Sequence, residues 1–310
     1  MSFNALNGVQ IKTSQLTLNG FSVSGLATWL TVQELGLCFD MGECPLSAVP
    51  MDHVFLTHAH GDHSRCLMRH HALRKMLGIE KEATYYLPEA IFEDAKAWIR
   101  ASAVFEGVRG SVKLPHIVPL RAEVRRGSPL PLTHRKHNSV SAFRADHGVP
   151  SLGYTVYESR QKLKAEYQGR PGRELASLKR EGVQIEASLH IPLITFIGDC
   201  TAETLWREEE IWESKVLVIE STYIAEGEER FARDRGHTHL AEVGELLSQR
   251  EVSCEAIILK HFSMKVKPHE ALEAALKYIP HEHHHRVYLL LDLPKTPQGL
   301  TLADLAWRDL

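Results

Sequence analysis

The sequence predicts a layered α/β domain, and three observations predict it. Apolar runs of strand length alternate with segments whose apolar residues recur at helical spacing. A polar or ionisable residue repeatedly stands where such a run stops, as at Thr57-His58, Gly198-Asp199, Glu220-Ser221 and Lys260-His261. In layered α/β proteins that edge is where sites are built. The chain has 310 residues, 44% of them hydrophobic, enough for one large domain with a substantial core.

Taken in order, residues 9–40 read as β-rich. Leu16-Thr17-Leu18, Phe21-Ser22-Val23 and Leu37-Cys38-Phe39 are separated by Gly20, Gly25 and Gly36. Asp40 then opens a polar turn; it either orients a metal-ligating histidine or simply serves the turn, and both readings stay open. Val54-Phe55-Leu56 is a short buried strand, and Leu67, Met68, Leu73, Met76 and Leu77 space out a helix behind it. Ala83–Leu87 is a strand, after which Pro88-Glu89 opens a helix with Ile91, Phe92, Ala95, Trp98 and Ile99 on one face. Residues 107–145 alternate short apolar runs with glycine and proline, a second β-rich half.

His147 lies in a polar turn before the strand Gly153–Tyr157. Residues 158–184 hold seven Lys/Arg and four Glu around Gly169-Arg170-Pro171-Gly172, a local 7 − 4 = +3. They read as two short helices around a turn, projecting from the core as an arm at about 158–190. Ile194–Ile197, Val216–Ile219, Ile257–Leu259 and Val287–Leu291 are buried strands. Between them, Leu240, Val243, Leu246 and Leu247 mark one helix, and Ala271, Leu272, Ala275 and Leu276 another. His281-Glu282-His283-His284-His285 reads as a solvated loop. With no repeat and no clear linker, residues 1–310 form a single domain.

The net charge of −3 is not that of a dedicated nucleic-acid binder, so an RNA substrate would need a local basic patch. One candidate is 121–137, where five Lys/Arg (121, 125, 126, 135 and 136) face Glu123, giving 5 − 1 = +4. It is either a solvated loop face or a phosphate contact. No apolar run approaches the roughly 18 residues of a membrane span, and Met1–Ala5 lacks the pattern of a signal peptide. Cys38, Cys44, Cys66, Cys200 and Cys254 are scattered without a Cys-X-X-Cys, as reduced thiols of a cytoplasmic protein would be.

The chemistry is concentrated in Thr57-His58-Ala59-His60-Gly61-Asp62-His63. Solvated loop histidines would account for a lone His-X-His. They do not account for three imidazoles and a carboxylate within six residues, at a strand-to-helix turn. Neutral imidazole and carboxylate suit zinc, with manganese and iron behind it. One tetrahedral ion does not need all four groups, so the spacing points to two ions side by side.

This stretch resembles the signature of the metallo-β-lactamase superfamily. The resemblance implies an αβ/βα sandwich, two mixed β-sheets flanked by helices. It also implies that His58 and His60 bind one metal, Asp62 and His63 the other, and that further ligands come from distant strand ends. His147, Asp199 and His261 complete a set of seven: His58, His60 and His147 for one Zn2+; Asp62, His63 and His261 for the second; Asp199 bridging. Two such ions lower the pKa of water to about 7 and so supply a nucleophile.

Within the superfamily, the order resembles ribonuclease Z, the tRNA 3′-processing endonucleases, from about Gly20 to Leu291. The most specific pieces are His147–Tyr154, Gly198-Asp199, Glu220–Tyr223, Gly236–His239 and His261-Phe262-Ser263. Lys162–Tyr167, with Pro171-Gly172 and Leu178-Lys179 after it, looks like the short form found in plants and some bacteria. The resemblance implies a homodimer acting on precursor tRNA, with Asp62, Glu220 and His237 as catalytic residues. From its place before a helix, His237 either gives the leaving group its proton or merely caps that helix, and His239 is the competing donor if the turn is rotated. Lys162, Lys164, Arg170 and Ser263 are the substrate-binding candidates. Three features depart from the pattern. Only 51 residues separate His147 from Asp199, Lys265-Val266 replaces the usual Arg-Tyr, and Ser64-Arg65-Cys66 replaces a glycine-rich helix start.

Two other functions compete. The same site would hydrolyse small phosphodiesters or other small esters, a reading favoured by the modest charge and reduced arm. A non-catalytic metal-binding scaffold is disfavoured, because it has no need of an open dinuclear site beside Glu220 and His237.

Overall fold

The computed structural model describes residues 4–124, 126–294 and 296–306. Met1–Phe3, Arg125 and the side chain of Lys136 lie outside the described residues, so part of the N-terminal and basic-stretch readings does too.

The first sheet runs in the order β1 (Val9–Lys12), β2 (Thr17–Ser24), β3 (Ala27–Val32), β4 (Leu37–Phe39), β5 (His53–Phe55), β6 (Thr84–Pro88) and β7 (His116–Leu120). Its first four strands pair antiparallel and the last four parallel. The second sheet contains β8 (Leu130–Leu132), β9 (Arg135–Ala145), β10 (Ser151–Leu163), β11 (Glu186–Ile197), β12 (Val216–Glu220) and β13 (Ala256–Lys260). The short β14 (Phe262–Ser263) crosses back to pair with β2 of the first sheet, and β15 (Val287–Leu289) closes the second beside β13. Here β8 to β11 are antiparallel, and β11, β12, β13 and β15 are parallel. Both sheets are therefore mixed.

The strands in the middle are continuous apolar runs because both of their faces are covered. Phe39 and Phe55 of the first sheet meet Tyr154, Phe196, Val218 and Ile258 of the second in one buried cluster. The rings of Phe39 and Phe196 stack at 4.8 Å. The alternate residues, Leu217, Ile219, Ile257 and Leu259, face outward onto helices. In chain order the described helices are α1 (Gly61–Ser64), α2 (Leu67–Met76), α3 (Phe92–Phe105), α4 (Gly172–Arg180), α5 (Ala202–Arg207), α6 (Glu229–Asp234), α7 (Leu240–Gln249), α8 (Pro268–Tyr278) and α9 (Leu302–Leu305).

Four expectations need correction. The buried face of α2 is Leu67, His70 and Arg74, while Met76 and Leu77 are exposed. Arg74 satisfies the backbone carbonyls of Val49, Met51 and Lys81, and His70 bridges Tyr85 and Ala48. Residues 107–145 are not one half: β7 ends the first sheet and β8 and β9 start the second. Residues 158–184 are not two helices. β10 and β11 stay paired out to Leu163 and Glu186, and only a 3₁₀ turn (Ala165–Tyr167) and α4 lie beyond them. His281–His285 lies in a 3₁₀ turn, with His283 and His284 buried and hydrogen-bonded to the carbonyls of Leu247 and Ile279.

What matters for function is one edge. β5, β11, β12 and β13 all end there, and β10 begins there. Asp40 and His261, which follow strands on that edge, adopt left-handed backbone at φ 56° and 64°. Such strain in non-glycine residues persists only where the surroundings over-determine it.

Candidate metal centre

The turn after β5 carries His58, His60 and, in α1, Asp62 and His63. His147 arrives from the loop before β10. Nδ1 of His60 lies 3.1 Å from Nε2 of His58 and 3.3 Å from Nε2 of His147. The far side of each partner ring is already engaged. His147 Nδ1 donates to the Gly236 carbonyl at 2.8 Å. Thr57 Oγ1 gives its hydrogen to Asp40 and so accepts from His58 Nδ1 at 3.0 Å. With their hydrogens there, the Nε2 atoms of His58 and His147 turn bare lone pairs toward His60. Burial, with His63 close by, holds His58 well below the ordinary imidazole range, and burial and His147 lower His60.

The second cluster repeats this logic. His63 Nδ1 donates to Asp40 at 2.8 Å, and His261 Nδ1 donates at 3.0 Å to Thr222 Oγ1, whose own hydrogen goes to Glu220. Their Nε2 atoms face each other at 3.2 Å. Asp199 Oδ2 stands 3.3 Å from His63 Nε2 and 3.2 Å from His261 Nε2, and Asp62 Oδ2 stands 3.8 and 3.6 Å from the same atoms. Asp199 Oδ2 is also 3.8 Å from His58 Nε2, so it touches both clusters. His58, His60 and His147, and separately Asp62, His63 and His261, lie close enough to hold an ion each.

Facing lone pairs and buried carboxylates are costly without a cation among them. A proton on His63 supplies one in their absence: burial opposes that charge, but Asp199 and Asp40 outweigh it and lift its pKa to about 10. Divalent metal fits the donor set, since every ligand atom is an imidazole nitrogen or a carboxylate oxygen. The open question about Asp40 is thereby answered. It is fully buried, accepts from the Thr57 backbone N–H and hydroxyl, and orients His63.

Beside the second cluster, His237 Nδ1 donates to Glu220 Oε1 at 3.0 Å. Glu220 is fully buried and also accepts from the Cys200 N–H at 2.8 Å and from the Thr222 hydroxyl. Burial works against the imidazolium of His237, but Glu220 overcomes it and raises the pKa to about 9. Burial raises Glu220, and His237 reverses this to leave it below its ordinary value. The rings of His147 and His261 stand 5.1 and 5.6 Å from that of His237. His239 is elsewhere: it caps α7, accepting from the Ala241 N–H at 3.1 Å, and donates to the Ala225 carbonyl. Gly236 has φ +74° with a prospective Cβ only 2.8 Å from His147 Nδ1, so no side chain fits between His147 and His237.

The substrate candidates are more dispersed. Lys162 and Lys164 lie on the outer part of the arm, and Arg170 pairs with Glu174 at 2.7 Å. In the basic stretch Arg121, Arg126 and Arg135 pair with Glu89, Glu213 and Asp52, on three separate elements. The described part of that stretch is thus no single phosphate patch. Ser263 instead lines a cleft of about 770 Å³ next to Thr222, walled by Tyr223, Phe231, Arg235 and Lys265. The guanidinium of Arg235 lies 3.4 Å over the Phe231 ring. The sequence reading missed this wall, along with Thr222 and Lys260. The signals were there for two of them, Lys260 at a strand stop beside His261 and Thr222 within Glu220–Tyr223, but neither gave a role.

No family model matches the chain. It is 31% identical over 276 residues to the chloroplastic tRNase Z of Arabidopsis thaliana, covering 88% of this chain and 75% of that protein. It is 32% identical over 277 residues to a second tRNase Z of the same plant, covering 88% and 94%. Among solved structures it resembles a metallo-β-lactamase fold protein of Bacillus subtilis, with a TM-score of 0.54, 13% identity and coverage of 85% and 93%. It also resembles the short form of human tRNase Z, with a TM-score of 0.53, 16% identity and coverage of 80% and 93%. The two solved structures share its fold, and the identity to the two plant proteins extends along most of its length: the chain belongs to the ribonuclease Z family.

Proposed function

We propose that this protein is a metal-dependent tRNA 3′-processing endonuclease that removes the 3′ trailer from precursor tRNA. The observation that carries the reading is the convergence of five imidazoles and two carboxylates beside the Glu220–His237 pair, in a chain of this family. His58, His60 and His147 would hold one zinc ion, Asp62, His63 and His261 the other, and Asp199 both; manganese or iron would suit the same donors. Bound there, the ions supply a water activated at neutral pH and offset charge on the phosphate.

The chain's own residues do the rest. Asp40 and the Gly236 carbonyl fix the rings of His63 and His147, and the Gly25 N–H holds Asp62 Oδ2 at 2.8 Å, so the ligands are oriented in advance. Glu220 keeps His237 charged and locked at Nδ1, leaving Nε2 to protonate the ribose 3′-oxygen as it leaves. The products are a 3′-hydroxyl on the tRNA and a 5′-phosphate on the trailer. Ser263, Arg235 and Lys265, which line the adjoining cleft, would meet RNA that flanks the cut. In a homodimer, Lys162, Lys164 and Arg170 of the arm would reach RNA on the partner subunit. Five free cysteines favour a reducing compartment, the cytoplasm in this reading, and no described helix is long and apolar enough to cross a membrane.

A second reading, hydrolysis of small phosphodiesters, is favoured by one observation: Arg121, Arg126, Arg135, Arg160 and Arg170 are all paired with carboxylates. The zinc-loaded protein should be given a 3′-extended tRNA precursor and a chromogenic diester, and the RNA ends mapped. A single cut at the trailer junction supports the endonuclease; turnover of the diester alone supports the second reading.

A further inference from the structure

Lys260 ends β13, immediately before His261, and is fully buried. Its Nζ has no hydrogen-bond partner among the described residues, and neither has Asp199 Oδ1. These two atoms stand 3.6 Å apart, with the Phe196 ring 4.9 Å from the ammonium. Glu220 is opposite Lys260 in the strand register, but its carboxylate is engaged by His237, Thr222 and the Cys200 N–H. Asp199 thus divides its oxygens: Oδ2 faces His58, His63 and His261, and Oδ1 faces Lys260.

The geometry points to Lys260 as a positioning residue that claims Oδ1 of Asp199, so that Asp199 offers the metal centre one oxygen only. The inference rests on the metal reading given above. A carboxylate free at both oxygens would have a second oxygen to give an ion, closing a position the reaction needs. A carboxylate with no ammonium behind it would also bind cations more strongly, because a buried unit charge interacts over this distance with little screening. Lys260 therefore weakens metal binding in order to keep the centre open, whereas a lysine that merely filled space would leave affinity unchanged or, when lost, lower it.

The sign of the change in metal affinity separates the two roles. The full chain is stripped with chelator and reloaded with zinc, and affinity is read by competition with a chromogenic chelator for the wild type, Lys260→Met, Lys260→Gln and Lys260→Arg. Both neutral variants should hold zinc about tenfold or more tightly than the wild type. Their metal-free forms should melt lower, their zinc-loaded forms close to the wild type, and their kcat on a chromogenic diester should fall. Lys260→Arg, which keeps the charge, should stay near wild-type affinity. Neutral variants that bind zinc equally or more weakly, or that fail to fold even with zinc present, overturn the inference. A wild type that takes up no divalent ion would instead sink the metal reading, an outcome the same titration reports separately.

Discussion

Replacing Glu220 by glutamine tests the His237 pair at its root. The substitution keeps the shape and the oxygen that accepts from the His237 Nδ1–H and the Cys200 N–H, removes the charge, and puts an amide NH2 where the Thr222 hydroxyl donated, a loss that is the same at every pH. In the metal-free protein burial disfavours the imidazolium of His237, yet Glu220 carries its pKa from 6.5 to about 9. That difference of about 2.5 units corresponds to about 3.4 kcal/mol at 1.36 kcal/mol per unit, an upper figure for the pair. Because the folded value lies above the unfolded one, this stability is fully present below pH 6.5. It declines as pH rises and is gone above pH 9. Glu220→Gln should therefore cost more stability at pH 6 than at pH 9.5, the excess reporting the charge on His237, measured by urea unfolding of metal-free protein. Titration of His237 by NMR should show its pKa reduced by more than one unit, since burial then acts unopposed. An equal loss at both pH values, or a pKa that moves by less than half a unit, would refute the assignment.

His237→Ala should retain both metals and bind RNA normally while kcat falls roughly 10²- to 10⁴-fold; a substrate with sulfur at the leaving 3′ position, which needs no acid, should recover most of the rate, and equal slowing of both substrates would remove His237 from that role. Asp199→Ala should lower metal content at both positions, and elemental analysis showing two ions with full activity would contradict a shared ligand. Deleting residues 162–180 should weaken cleavage of precursor tRNA and spare a small diester, whereas equal loss on both would mean that the arm merely supports the core.

The layered fold was legible because it rests on short-range pattern. Val216–Ile219 and Ile257–Leu259 are apolar at every position because one set of alternate residues meets the other sheet and the other meets helices. The site edge was legible for the same reason: a strand must stop somewhere, and the polar residue at its stop is the one carried at the edge. The arm was not legible. Beyond Tyr157 both faces of the hairpin approach solvent, so Glu158–Leu163 carries no apolar alternation even though each residue pairs across to 186–191. Nor was the buried face of α2, since His70 and Arg74 are held by backbone carbonyls, which leave no trace in side-chain pattern.

The basic stretch, left open between a loop face and a phosphate contact, shows the limit most plainly. A run of cations predicts a phosphate surface only if no carboxylate comes to meet it, and the partners Glu89, Glu213 and Asp52 lie between 32 and 87 residues away along the chain. Clustering in sequence is evidence for a site when the groups must converge to work, as the imidazoles of His58, His60 and His63 must around a cation. It is poor evidence when each group can be neutralised separately, as these arginines are. The same distinction explains why the role of Asp40 stayed open and that of Lys260 went unread. Each meets its metal-site partner through one atom of a residue distant in the chain, His63 Nδ1 at 2.8 Å and Asp199 Oδ1 at 3.6 Å, and only the meeting of strand ends at a single edge brings those partners together.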